Sequence, residues 1–235
     1  MRPLRIFAPL GAAVLTLGTI SCGAGSTASS PAVLPMRQHW EAANVLQRAM
    51  VTGDLPIARR AAGRIAEVEQ IPGLPADAGP YLNRMRDEAR AVAAASTFPH
   101  AAEAAGRMAA ACGACHVRGS YGPRPEGGTR APTVGSEGTQ YHMLLHTWAV
   151  DRMWEGLIVP STERWQAGAR VLAEQSVSAE GFSPEVALMA ARMHDAGRQA
   201  MEVEDASGRA DHFGSILKEC ASCHAELKLR GERFE

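Results

Sequence analysis

From residue 35 onward, apolar side chains recur every three or four positions, the period of a helix with one buried face. The spacing predicts helices over 36–51, 55–70 and 80–95. Gly53 ends the first, Asp54 caps the second, and Pro72-Gly73-Leu74-Pro75 breaks the chain before the third. A fourth helix begins near Pro99, with Thr97 as a capping residue. Along it Ala101, Ala105, Met108, Ala109, Cys112, Cys115 and His116 form one stripe. Residues 119–138 then hold six Gly and three Pro and read as a linker. Helical periodicity resumes over 140–157, over 162–175 behind Ser161, and over 184–202, where Ser183-Pro184-Glu185 is a strong helix start. A last helix begins near Gly208 and aligns Phe213, Ile216, Leu217, Cys220, Cys223, His224 and Leu227.

The second set of helices repeats the first. Cys112-Gly113-Ala114-Cys115-His116 returns 108 residues later as Cys220-Ala221-Ser222-Cys223-His224. Trp40 and Trp148 share that offset, while Met36 and His39 match Met143 and His146 at 107. Ala66-Glu67 and Ala173-Glu174 match at 107 too, so a single-residue slip reconciles the halves. The expected fold is all-α: two tandem four-helix bundles, residues 35–118 and 139–235, joined by the linker 119–138.

Composition agrees with this, being rich in Ala and, at 5% aromatic, poor in strand formers. A formal net charge of −1 offers no general attraction to nucleic acid. The first residues read as an export signal, residues 1–21: Arg2 and Arg5 precede an apolar run over 6–20. Thr19-Ile20-Ser21-Cys22-Gly23 resembles a bacterial lipobox, with Thr19 where Leu is usual, and Cys22 would be the lipidated residue. Cys22 is also the one cysteine of five that lies outside the two repeated motifs. Residues 22–34 would form a flexible tether to a membrane, placing the protein in the periplasm.

Cys-x-x-Cys-His is the attachment sequence for c-type haem. Residues three and four apart share a helix face, so both thiols and the histidine of each motif can meet one macrocycle. Two covalent haems are therefore expected, on Cys112 and Cys115 and on Cys220 and Cys223, with His116 and His224 as proximal iron ligands. A thioredoxin-type dithiol would sit in an alternating strand–helix pattern, which is missing, and a zinc site would not need a histidine after both pairs.

In an up-down-up-down bundle the end of the fourth helix lies beside the start of the first. The distal ligand of each iron should then come from the first helix. Two ligand types recur there: His39 and His146, one turn deeper and preferred, and Met36 and Met143 as the alternative. His142 is a further candidate in the second half. Met189 and Met193 read as core. His100, His194 and His212 have no matched partner in the repeat. Trp148, Trp154 and Trp165 should pack the second bundle or cover haem edges.

The late motif, the four-helix periodicity and the ligand candidates on the first helix resemble class II c-type cytochromes, the cytochrome c-prime type. Cys220-x-x-Cys223-His224-x-x-Leu227-Lys228 is similar to their ending, with Leu227 where an aromatic is commoner. The first half departs after its motif, running Val117-Arg118-Gly119-Ser120. As a whole the chain looks like a tandem dihaem variant. The resemblance implies electron exchange with redox partner proteins, and such bundles often form homodimers. A small-gas binder with open iron is the first alternative, and a dihaem peroxidase the second. No Ser/His/Asp set and no phosphate loop suggests other catalysis.

Overall fold

The computed structural model describes residues 31–68, 71–119, 122–123, 127–132, 138–175 and 182–227. The expected export signal and lipobox, with Cys22, lie outside these residues. Among the described residues the chain is all-α, with eight α-helices, one 3₁₀ turn and no strand. In order they are α1 (Val33–Val51), α2 (Leu55–Ala66), α3 (Gly79–Ala94), α4 (Phe98–Gly119), α5 (Thr139–Ile158), α6 (Thr162–Glu174), α7 (Pro184–Met201) and α8 (Ala206–Glu226). The 3₁₀ turn, Ala76–Ala78, leads into α3.

Local chemistry sets most of these limits. Asp54 accepts from the Ile57 amide at 2.9 Å and starts α2 behind Gly53, which takes the left-handed φ of 73°. Ser161 and Ser183 cap α6 and α7. Asp205 caps α8 through the Gly208 amide, so that helix starts two residues before the position its apolar stripe suggests. Two further boundaries differ from expectation. α1 begins at Val33, inside the stretch expected as tether, because Val33 and Leu34 extend the helix with no Gly or capping residue to stop it. α2 ends at Ala66, four residues short of the expected limit of 70.

Consecutive helices pack in sequence within each half, α1 on α2 on α3 on α4 and α5 on α6 on α7 on α8. Contact between the first and fourth helices of a half is slight. Instead α4 packs along α8, α4 also meets α5, and α1 meets α8. Simple neighbouring of first and fourth helices, as in a self-contained bundle, is thus only partly realised: a cavity separates α1 from α4, and the fourth helices take each other as partners. The seam between α4 and α8 is built on small residues. A Cβ on Gly106 would lie 2.3 Å from the Ala210 carbonyl oxygen, and one on Gly214 would lie 3.1 Å from that of Ala102. Those two pairs are equivalent positions of the repeat, so the seam relates the halves by an approximate two-fold.

One continuous apolar core runs through both halves. Met108, Trp165, Phe213, Ile216 and Leu217 are fully buried in it. Trp165 satisfies its indole N–H on the Ala200 carbonyl at 2.8 Å, and Trp154 stacks on Phe213 at 5.6 Å. Beside the linker, Glu155 is buried between Arg152 and Arg164 at 2.6 and 2.7 Å. The two guanidinium groups also donate to the carbonyls of Gly128 and Gly127, which fastens that part of the linker onto α5 and α6. No helix among the described residues is long and apolar enough to cross a membrane.

Candidate functional site

In the first half, the N-terminal part of α1 and the C-terminal part of α4 enclose a cavity of about 480 Å³. Its wall brings together Met36, His39, Cys112, Cys115 and His116. Leu74, Tyr81, Leu82, Met85 and Met108 close it from the turn before α3, from α3 and from α4. The size falls within the range of small-molecule and cofactor pockets, and the lining is mostly apolar with a few convergent polar groups.

His39 is the conspicuous member. It is 8% exposed, and both of its ring nitrogens are buried without a hydrogen-bond partner. An unpartnered buried polar atom costs about 1–3 kcal/mol, so such an imidazole needs a reason to be there. Burial holds its pKa below the usual value, which keeps the ring neutral and a nitrogen lone pair available.

His116 stands on the α4 side. Its Nδ1 lies 2.6 Å from the carbonyl oxygen of Ile158, the last residue of α5. A carbonyl only accepts, so Nδ1 carries the proton and Nε2 keeps the lone pair. An imidazole held in this way by a backbone carbonyl is the usual arrangement of a metal-ligating histidine. Burial lowers the His116 pKa, with the bond to Ile158 pulling the other way. Gly122 folds back against the ring, where a Cβ would lie 3.0 Å from its Cγ.

The four motif cysteines are free thiols. Burial, with a smaller contribution from Cys115, pushes the Cys112 thiol up to about 12, and burial with Cys223 does the same for Cys220. These inner thiols are protonated and face apolar surroundings, which suits a thioether better than a thiolate metal centre. Among the described residues, no group of three or more His, Cys, Asp or Glu side chains converges to hold a bare metal ion. Cys112, Cys115 and His116 lie along one wall of the cavity, the arrangement a flat macrocycle with its own equatorial ligands would need. The residues present fit such a group.

The second half repeats the pattern with one difference. His224 is half-buried; burial lowers its pKa, and the backbone of Val51, the last residue of α1, acts in the opposite direction. His146 is close enough to His142 and His224 for their charges to lower its pKa, after the larger effect of burial. Unlike His39, however, His146 holds a partner: its Nε2 lies 3.0 Å from the Gln175 carbonyl. His142 Nδ1 and His194 Nδ1 are buried without partners. Met143 is half-buried, Met193 is buried, and Trp148 is half-buried beneath the Arg152 guanidinium.

Residue identity did not point to the carbonyls of Ile158 and Val51, because any residue carries one. The only signal was positional, since both end the first helix of their half. No protein family, curated protein or solved structure matches the chain.

Proposed function

We propose that the chain is a dihaem c-type cytochrome, an exported electron carrier built from two four-helix haem units of the class II type. The haems would supply a reversible one-electron couple. Cys112 and Cys115 would tether one, Cys220 and Cys223 the other. His116 and His224 would ligate iron from one side, with His116 fixed in tautomer and orientation by the Ile158 carbonyl. His39 and His146 are the preferred distal ligands, with Met36 and Met143 as alternatives on the same helix face. The apolar walls would keep water from the iron and so set the potential. Redox proteins of the periplasm or membrane are the partners, and Cys22 is the proposed lipid anchor.

The observation that carries this reading is His39, buried with two unpartnered nitrogens in the cavity that also holds Cys112, Cys115 and His116. Two axial groups facing each other leave iron no open position for substrate. A pyridine haemochrome assay on the exported protein tests it and should return two haems per chain. The oxidised spectrum should be low-spin and six-coordinate. Fewer than two haems, or high-spin iron at both sites, would refute the proposal. One observation favours a gas-binding second haem as the alternative: His146 Nε2 is already engaged by the Gln175 carbonyl. Carbon monoxide binding to one ferrous haem of the two would select that alternative.

A further inference from the structure

Each proposed proximal histidine lies beside the end of the other half's first helix. His116, on α4, bonds to Ile158 at the end of α5 at 2.6 Å, and the end of α1 comes up to α8 at the matching place, with the Gly53 Cβ position 3.5 Å from Ala221 and the Val51 backbone near enough to His224 to raise its pKa. The two histidines are 108 positions apart and the ends of the two first helices 107, so the two crossings occupy equivalent places in the repeat and run in opposite directions. We propose that each first helix serves both sites: its N-terminal part faces the iron of its own half, and its C-terminal carbonyl positions the proximal histidine of the other. This rests on the haem reading above and adds that the halves are exchanged at the level of ligand orientation.

The choice of acceptor has a physical basis. The last four carbonyls of a helix have no intrahelical partner, and they sit at the negative end of its dipole. Such a carbonyl is a good acceptor for an imidazole N–H and makes the other nitrogen a stronger donor to iron. The approach is sterically arranged as well. A Cβ on Gly113 would lie 2.2 Å from the Leu157 carbonyl oxygen, so only glycine lets α5 end so close to the first motif. At the equivalent crossing the glycine is on the other side: Gly53 faces Ala221, with its Cβ position 3.5 Å from the Ala221 side chain. The α4–α8 seam at Gly106 and Gly214 holds both crossings in register.

Histidine Nδ1 and backbone oxygen are thus the reporters, and the seam is the place to perturb them. Gly106→Ala puts a methyl 2.3 Å from the Ala210 oxygen and must part the halves, whereas Gly214→Ala meets its nearest atom at 3.1 Å and parts them less. Gly63→Ala, with nothing within 4 Å, is the control. The full-length two-haem protein, labelled with ¹⁵N-histidine and reduced, is examined by NMR, and the potentials are titrated in parallel. The wild type should show hydrogen-bonded, exchange-protected Nδ1–H signals for both His116 and His224. In Gly106→Ala both signals should shift toward weaker bonding together, and both midpoint potentials should rise as the ligands donate less. Gly214→Ala should do the same to a smaller extent, and provides the answer if Gly106→Ala does not fold. Gly63→Ala should change neither. The proposal is overturned if the wild type lacks either protected signal, or if a seam variant with both haems moves one histidine alone or neither. A wild type with fewer than two haems would instead defeat the haem reading.

Discussion

His39 offers a test in which the sign of the effect depends on the ligand. Consider His39→Leu, which keeps a side chain of similar bulk and removes both ring nitrogens. In the haem-free chain those nitrogens are buried without partners. Relief of two such groups, at about 1–3 kcal/mol each, sets a range of roughly 2–6 kcal/mol. The lower end is the better figure, since the imidazole borders a cavity that water can enter. About 2 kcal/mol should raise the melting temperature of a chain this size by roughly 4–8 °C. With haem attached the direction reverses. The first iron loses its distal ligand, the melting temperature falls, and one of the two haems turns high-spin while the second keeps its spectrum. Calorimetry of haem-free and haem-loaded protein, with visible and EPR spectra of the latter, reads both halves of the prediction. If Met36→Ala produces the spectral change and His39→Leu does not, methionine is the ligand. If His39→Leu destabilises the haem-free chain by several kcal/mol, the histidine is an ordinary core residue and the reasoning fails.

Two further substitutions test the frame around the sites. Glu155→Ala leaves the Arg152 and Arg164 guanidinium groups, with side chains 11% and 17% exposed, facing each other without their shared carboxylate. Breaking a buried pair in this way costs about 3–5 kcal/mol, and calorimetry should find a melting temperature lower by roughly 10 °C. A loss under about 1 kcal/mol would mean that the clip is solvated. Asp151, on α5, accepts from Gln47 of α1 at 3.1 Å across the junction of the halves. Burial raises its pKa, opposed by Gln47, Arg152 and Arg48. A raised acid pKa favours folding below the unfolded value near 3.8, and that contribution is lost as pH rises through the folded one. Asp151→Asn should therefore raise the melting temperature at pH 7, with the gain shrinking as pH falls toward 4. An equal gain at both pH values would exclude the carboxylate charge as its cause.

The helices were legible because periodicity and capping are local. Pro184 behind Ser183, Thr162 behind Ser161 and Leu55 behind Asp54 each start a helix where their chemistry says. The repeat was legible because Met36, His39 and Trp40 return with the motif. The repeat did not reveal how the halves meet. Gly106 and Gly214 look like weak points in a helix when read singly, costing about 1 kcal/mol each against Ala. Only the approach of Ala210 and Ala102 shows that a methyl has no room there. The orientation of His116 was hidden for a stronger reason, since its acceptor is backbone and lies in the other half.

That hidden layer also separates two sites that are alike in sequence. His39 and His146 occupy equivalent positions, yet one has no partner and the other has the Gln175 carbonyl. α6 ends at Glu174 with Gln175 as its cap, while α2 ends one residue earlier in the repeat, at Ala66 with Glu67 as its cap. The carbonyl of that cap residue, one place further along, is what reaches His146. A hydrogen bond of this kind is worth about 0.5–1.5 kcal/mol net. Iron ligation by His146 Nε2 has to repay that sum, whereas ligation by His39 has nothing to break. On the proposed haem reading, matched positions thus predict unequal affinities: the first site would bind its distal ligand more tightly, and added imidazole should enter the second haem first.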